Sequence, residues 1–175
     1  MNTRKLPSIT DKADFLANAE LMVRESLEQY GQLADSMELH NNLLAAAQFR
    51  ELENMEKQQL QWIDEQAAGL TLPEIAPWDF AWHCHDAPSE ICLSDMDYLS
   101  NPARALSAAL HNEHHAEELC RQVAELGLDP EVKIVANEMA DLQLRQIKLL
   151  QQCLDRLPKE GHETIEDMDP PNIPE

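Results

Sequence analysis

Five polar side chains fall on stretches whose periodicity predicts buried helix faces. The apolar residues around them recur at steps of three and four, the spacing that keeps side chains on one face of an α-helix. A buried carboxylate is costly unless a metal ion or hydrogen bonds compensate it. The pattern therefore predicts a metal site or a hydrogen-bonded polar layer, unless the helix is turned and its carboxylate faces water. The five residues are Glu56 and Gln59, then Glu113, then Gln143 and Gln146.

Four long helices are predicted to position these side chains. Asn101-Pro102 and Asp129-Pro130 each combine a capping residue with proline at the first helical position, which predicts the start of a helix. The short polar break at residues 40–42 predicts that the first two helices are antiparallel neighbours. A first cap is expected at Thr10 or Asp11. The predicted helices span about 10–39, 42–68, 101–126 and 129–157.

A long segment, residues 70–100, interrupts the helical pattern with prolines and aromatic residues. A connection of this length is uncommon in a compact domain unless it crosses from one end of a bundle to the other. Two short turns and one long central crossover give the ferritin-like connectivity, although an unrelated four-helix bundle fits the helices as well. We predict an all-α, ferritin-like four-helix bundle over residues 10–157. A flexible leader at 1–9 precedes it, and an acidic, disordered tail at 158–175 follows.

Charge and composition argue against several classes of partner. Lys and Arg number 13 against 33 Asp and Glu, so the formal net charge is −20. This excess disfavours nucleic acid and anionic membrane surfaces as partners. The sequence has no apolar run long enough to span a membrane and no signal-peptide core, so a cytoplasmic location is expected. The four cysteines form no CxxC pair, which argues against a zinc ribbon.

The crossover contains a second group of possible metal ligands. His83, Cys84 and His85, with Cys92 downstream, offer thiol and imidazole groups that suit zinc or copper. Their spacing fits no common zinc motif. The alternative interpretation is a partly exposed loop with incidental histidines.

A histidine cluster on the third predicted helix is a further candidate. His111 and His115 are one turn apart, the spacing of a helical metal-binding pair, and His114 lies between them. At 100° per residue, His111 and His115 lie opposite Glu113. If Glu113 faces the core, we expect these histidines to face solvent or a subunit interface.

The ordered set of helices resembles the rubrerythrin branch of the ferritin-like superfamily, in the form without a rubredoxin domain. The similarity covers about 13–154 and is carried by the runs ESLEQYGQLADSMELHNN, AQFRELENMEKQQLQW, ALHNEHHAEEL and DPEVKIVANEMADLQLRQIKLL, with APWDFAW in the crossover. The resemblance implies a di-iron centre that handles peroxide or iron. It also implies a homodimer, because ferritin-like bundles commonly pair.

The resemblance assigns six ligand positions, and two of them keep their residue type. The family's second- and third-helix glutamates fall on Glu56 and Glu113. Two carboxylates supply half of the negative charge of four, and glutamine is a neutral, weak ligand. The resemblance therefore implies a centre that has lost four of its six ligands. The replaced positions are Val23 for a glutamate, Gln59 for a histidine, and Gln143 and Gln146 for a glutamate and a histidine.

Two functions remain open. In the first, the bundle binds no metal and has a binding or structural role. The three glutamines then hydrogen-bond Glu56 and Glu113, which share a proton and have at least one raised pKa. In the second, the protein is a metal-binding oxidoreductase that uses a reduced, weakly occupied site at Glu56 and Glu113, with iron or alternatively zinc. Metal binding through the crossover and surface histidines is a third possibility.

Overall fold

Four long α-helices account for the fold, in a computed structural model that describes residues 9–76, 101–127 and 129–157. No strand is present in these ranges, and the predicted all-α four-helix bundle is confirmed. The predicted tail and most of the predicted leader and crossover lie outside the described residues. The helices are α1 (Lys12–Leu39), α2 (Leu43–Gln66), α3 (Pro102–Leu126) and α4 (Pro130–Arg156).

Local sequence signals determine where these helices begin. Asp11, Asn101 and Asp129 each accept a hydrogen bond from a backbone N–H of the following turn, at 2.9, 3.2 and 2.8 Å. A cap of this kind stabilises a helix by about 1 kcal/mol. The turn between α1 and α2 places Asn41 at a φ of 59°. Asparagine adopts this left-handed conformation more readily than most residues. The capping residues predicted for α1, α3 and α4 are therefore confirmed.

The helices form two hairpins, α1–α2 and α3–α4, which pack against each other. Two apolar clusters fill the space between them, one toward each end of the bundle, and each takes residues from all four helices. The first cluster includes Phe15, Ile63, Cys120 and Met139, and the second includes Met37, Phe49, Leu106 and Leu150.

The clusters also give the direction of the helices. Phe49 and Leu106, from the amino-terminal parts of α2 and α3, lie in one cluster. Ile63 and Cys120, from their carboxyl-terminal parts, lie in the other. The two helices therefore run in the same direction, and α2 ends at the opposite end of the bundle from the start of α3. This direction is the one expected for a long crossover, whose residues 77–100 are not among those described.

The apolar residues that recur at steps of three and four predict a buried stripe on each helix, and most of these positions are buried, with three exceptions. Leu27, Leu110 and Leu142 are only half-buried. A straight helix drifts relative to a strict heptad pattern, so residues at the edge of a predicted stripe rotate toward solvent. Cys120 and Cys153 lie on these stripes and are buried free thiols, which pack as small apolar residues. Burial raises the pKa of Cys120 to about 12. Within the described ranges, no helix is both long and apolar enough to cross a membrane.

Candidate functional site

A layer of polar side chains separates the two apolar clusters. The five residues predicted from the helical stripes all lie in it, and each is at most 3% exposed. Tyr30 of α1 joins them and is equally buried. Glu56 therefore faces the core, and the possibility that it faces water is excluded. The layer consists of Tyr30, Glu56, Gln59, Glu113, Gln143 and Gln146.

On the α1–α3 side of the layer, a tyrosine contacts a carboxylate. The Tyr30 hydroxyl donates a hydrogen bond to Glu113 Oε1. The Tyr30 ring stacks on Phe49, with ring centroids 6.2 Å apart and planes inclined by 30°. The helical stripes did not predict this bond, although a buried tyrosine hydroxyl usually has a polar partner. The position of Tyr30 on the apolar stripe of α1 is the sequence signal that could have predicted it.

On the α2–α4 side, glutamine amides make the contacts. Gln146 Nε2 donates to Glu56 Oε1 at 2.8 Å, and Gln143 Nε2 donates to Gln59 Oε1 at 3.3 Å. We expected all three glutamines to bond the carboxylates, and this is wrong for two of them. Gln59 lies one turn after Glu56 on α2, and Gln143 lies one turn before Gln146 on α4. The two glutamines therefore face each other one turn away from the Gln146–Glu56 pair.

These hydrogen bonds share one property, which is that each joins one hairpin to the other. The Tyr30–Glu113 bond runs from α1 to α3, and both glutamine bonds run from α4 to α2. Outside the layer, Cys153 of α4 contacts Gln48 of α2, with 2.6 Å between Sγ and Oε1. Because hydrogen bonds need specific distances and angles, these contacts fix the register between the hairpins more tightly than apolar contacts do.

Three oxygen atoms of the layer lack a hydrogen-bond partner among the described residues. They are Glu56 Oε2, Gln143 Oε1 and Gln146 Oε1. A buried acceptor without a donor costs about 1–3 kcal/mol. Native structures usually satisfy such atoms with a protein group, a water or a ligand. The layer therefore has unused capacity for hydrogen-bond donors.

Burial raises the pKa of both carboxylates. The pKa of Glu113 rises from 4.5 to about 7, because burial outweighs the hydrogen bond from Tyr30, which lowers it. Burial also raises the pKa of Glu56 well above its ordinary value, and the charge of Glu113 adds to this. The expected increase in at least one pKa is thus confirmed. The carboxylates make no hydrogen bond to each other, so a directly shared proton is not what the structure shows.

Tyr30 remains a proton donor under all ordinary conditions. Burial raises its pKa well above 10, and the negative charges of Glu113 and Glu56 raise it further. The two layer carboxylates are therefore unequal. Glu113 accepts from a tyrosine hydroxyl, whereas Glu56 accepts from a glutamine amide and also feels the charge of Glu113.

The donor set of the layer does not fit a di-iron centre. The rubrerythrin resemblance assigns its first-helix ligand position to Val23, which is buried in an apolar cluster. Gln143 and Gln146 direct N–H groups at oxygen acceptors inside the layer, where a metal ion would need lone pairs. In the described part of the chain, no group of three or more His, Cys, Asp and Glu side chains is placed to hold a metal ion.

A cavity of about 60 Å³ lies beside the layer, between α1 and α3. Glu113 and Gln143 line it on the layer side, and Glu25 and Gln29 of α1 line it as well. The sequence does not predict this cavity, because its lining residues come from three helices and share no stripe. Met22, Ala116 and Leu119 supply its apolar wall.

The histidine cluster of α3 divides between surface and cavity. His111 and His114 are exposed, as expected. His115 is half-buried and lines the cavity together with Glu113, so it is only partly exposed to solvent, and its place at a subunit interface stays a prediction. The cavity runs along the flank of α3, and residues from more than one face of the helix reach it. The other candidate ligands, His83, Cys84, His85 and Cys92, lie outside the described residues.

A solved structure resembles this chain along most of its length. It is the crystal structure of COG1633, an uncharacterized conserved protein from Magnetospirillum magnetotacticum MS-1. The two chains share 31% sequence identity and superpose with a TM-score of 0.73, and the match covers 86% of this chain and 98% of the other. The chain belongs to the COG1633 family. Membership in the COG1633 family agrees with the four-helix bundle and leaves the function to be argued from the polar layer. No family model and no curated protein matches the chain.

Proposed function

We propose that this protein is a rubrerythrin-like bundle in which a hydrogen-bonded polar layer has taken the place of a di-iron centre. Its role is then binding or structural, and not catalytic. The observation that carries the proposal is that the hydrogen bonds of the layer each join the two hairpins. A di-iron centre at these positions would also connect the helices of a bundle. The layer also connects the helices, through hydrogen bonds from one tyrosine hydroxyl and two glutamine amides.

The positions of the layer residues support this proposal. Glu56, Gln59, Glu113, Gln143 and Gln146 are five of the six ligand positions that the rubrerythrin resemblance assigns, and all five lie together in the core. Substitution of glutamine for charged or imidazole ligands removes negative charge and adds N–H donors. Both changes favour a layer that is stable without a cation.

Metal analysis of the protein purified without chelator tests the proposal directly. We expect no iron and no zinc at stoichiometric levels, before or after titration with either metal. About two irons per chain, lost in a Glu56→Ala/Glu113→Ala variant, would overturn the proposal. Zinc that the double variant retains but that His83→Ala or Cys84→Ala removes would instead assign metal binding to the crossover.

Restoring the missing ligands gives a complementary experiment. We expect the quadruple variant Val23→Glu, Gln59→His, Gln143→Glu, Gln146→His to gain iron binding, because it supplies four carboxylates and two imidazoles at the assigned positions. The matched control, Gln151→Glu/Gln152→His, adds a similar pair on the exposed side of α4 and should bind none. A folded quadruple variant without iron would mean that the rubrerythrin alignment is wrong.

The second candidate function is a metal-binding oxidoreductase with a reduced site. The unpartnered oxygens Glu56 Oε2, Gln143 Oε1 and Gln146 Oε1 favour it, since hard cations take oxygen ligands. The same titration separates the two candidates. Iron or zinc bound by the unmodified protein and released by Glu56→Gln alone would favour the second.

We also infer a homodimer in the cytoplasm. Leu39, Leu43 and Leu44 are exposed by 84%, 63% and 58% at the turn between α1 and α2, and an exposed apolar patch commonly marks an interface. Light scattering should give twice the chain mass, and Leu43→Glu should give a monomer. Leu126→Glu, at the opposite end of the bundle, is the control and should remain dimeric.

A further inference from the structure

The amino-terminal chain enters α1 already in contact with the bundle. Ile9 is half-buried and packs against the first apolar cluster. Next to it, the Thr10 backbone N–H and hydroxyl both donate to the Asp14 carboxylate, with 3.1 Å from the nitrogen to Oδ2. These contacts hold the start of α1 against the end of the bundle. Residues 1–8, which are not among those described, are therefore attached to the chain at a point on the bundle surface.

An exposed leucine of α3 faces the α1 side of the same end. Asn112, Leu119 and Leu126 recur at steps of seven, so they share one flank of α3. Asn112 and Leu119 line the cavity between α1 and α3, which shows that this flank faces α1. Leu119 is buried, whereas Leu126 is 63% exposed. The apolar seam between the two helices is therefore open at Leu126.

The register between α1 and α3 places this opening near the start of α1. The two helices run in opposite directions and are joined by the Tyr30–Glu113 bond. Counting equal numbers of residues from this bond, forward along α3 to Leu126 and back along α1, arrives at Ala17. Ala17 lies in the second turn of α1. The open end of the seam is therefore close to the point where the amino-terminal chain meets the bundle.

The sequence before Ile9 is long enough to span this gap. Leu6 is three residues before Ile9, and three extended residues cover about 10 Å. Neighbouring helices are about 8–10 Å apart, so Leu6 reaches the flank that carries Leu126. Pro7 favours an extended conformation at Leu6, because its ring restricts the preceding residue.

The charges of the two segments are complementary. Arg4 and Lys5 are the charged residues of 1–8, and both are basic. Across the gap, Glu125 and Glu131 are exposed on either side of the α3–α4 turn. The turn region, residues 125–133, carries three acidic residues against one lysine. The electrostatic attraction therefore draws the amino-terminal segment toward this end of the bundle.

We propose that residues 4–8 of this chain cover the open end of the seam, with Leu6 against Leu126. The two basic residues then lie beside Glu125. The contact is intramolecular, because Ile9 holds the segment within reach and gives it a high effective concentration. It shields an exposed leucine and does not depend on the proposed polar layer.

NMR relaxation of the intact protein tests this contact. Backbone order parameters of about 0.85 indicate rigid amides, and values below about 0.6 indicate flexible ones. We expect values above about 0.7 for Leu6 and Ser8, unchanged on dilution of the protein. The flexible leader expected from the sequence would instead give values below about 0.6.

Two variants test the apolar contact. Leu126→Gln removes the apolar partner at similar volume and should shift the ratio of docked to free segment about tenfold toward the free form. The matched control Ile134→Gln changes a residue of similar exposure, 58%, at the same end of the bundle and should have no effect. If Leu126→Gln does not fold, Leu6→Gln gives the second measurement. It leaves the described bundle intact and should both free the segment and shift the Leu126 amide signal, whereas Thr3→Gln should do neither.

Several results would overturn the inference. They are low order parameters for residues 4–8 in the intact protein, unchanged values in a folded Leu126→Gln variant, or an equal loss of order in Ile134→Gln. A loss of order on dilution would assign the seam to a second copy of the chain, which also contradicts an intramolecular contact.

Discussion

The contacts within each hairpin differ in kind from the contacts between the hairpins. Within α1–α2, Arg50 forms ion pairs with Asp35 and Glu38 on the outer surface. Within α3–α4, Arg121 reaches Asp141, with 2.6 Å between Nη2 and Oδ1. Between the hairpins, the polar contacts described above are the buried hydrogen bonds of the layer and the part-buried contact between Cys153 and Gln48. The chain therefore uses exposed charges to support neighbours in sequence and buried polar groups to join distant helices.

This difference has consequences for stability and specificity. Exposed ion pairs contribute between 0 and about 1 kcal/mol, because water and salt screen them. A buried polar group that loses its partner costs about 1–3 kcal/mol. Errors in pairing the hairpins are thus penalised more strongly than errors within a hairpin. The charge state of the two layer carboxylates should then influence the free energy of unfolding more than any surface charge does.

The largest expected effect is on the pH dependence of stability, through Glu113. Its pKa is higher in the folded protein, about 7, than its ordinary 4.5, so folding favours the protonated form. Its contribution is complete below pH 4.5 and is lost as the pH rises to about 7, which amounts to about 3 kcal/mol. Glu113→Gln mimics the protonated form. Chemical unfolding should find this variant near the unmodified protein at pH 4.5 and about 3 kcal/mol more stable at pH 8.

The control for this prediction is Glu118→Gln, which removes a carboxylate from the exposed side of the same helix. Its effect should stay within about 0.5 kcal/mol at both pH values. A Glu113→Gln variant that loses stability at pH 8 would mean that the carboxylate of Glu113 is compensated, for example by a cation.

The second effect concerns the amide side of the layer. Gln146→Leu keeps the approximate volume and removes the N–H that Glu56 Oε1 accepts. Glu56 then has no donor for either oxygen among the described residues. We expect a loss of about 2 kcal/mol in the free energy of unfolding. Gln151→Leu, exposed on the same helix, should cost less than about 0.5 kcal/mol, and equal losses in the two variants would contradict a special role for the layer.

The third effect concerns the tyrosine side. Tyr30→Phe removes the donor to Glu113 without changing the ring that stacks on Phe49. We expect a loss of about 1 kcal/mol at pH 5 and a pKa for Glu113 above 7, since the Tyr30 hydrogen bond lowers it. NMR titration of the Glu113 carboxyl carbon gives the pKa. In a Glu113→Leu background, which lacks the acceptor oxygen, most of the stability loss should disappear, and a loss that persists would show that packing of the hydroxyl was responsible.

The sequence predicted the elements of this structure better than their pairing. Caps and prolines placed the starts of α3 and α4, and helical periodicity placed Glu56 and Glu113 in the core. The partners of these carboxylates come from helices more than 80 residues away in sequence. Which amide meets which carboxylate depends on the rotation and shift of one hairpin against the other. Periodicity within a single helix does not contain that information.

The cavity shows the same limit from another direction. Glu25 and His115 belong to faces that periodicity assigns to solvent, yet both line the cavity beside Glu113. Whether neighbouring helices leave a gap depends on the sizes of side chains on both of them. The size of the gap is a property of the two packed helices together, and the apolar stripe of one helix does not predict it.

The smallest predicted effect returns to the contacts within the hairpins. Arg121→Met keeps the apolar stem and removes the guanidinium that bonds Asn137 and Asp141 of α4. Since Asp141 is exposed and Asn137 is only half-buried, we expect a loss below about 1 kcal/mol at low salt, which should vanish at about 1 M salt. Denaturant unfolding at the two salt concentrations measures both numbers. A salt-independent loss in the free energy of unfolding as large as that of Gln146→Leu would mean that surface charges also fix the arrangement of the helices. The contrast between exposed and buried contacts would then be wrong.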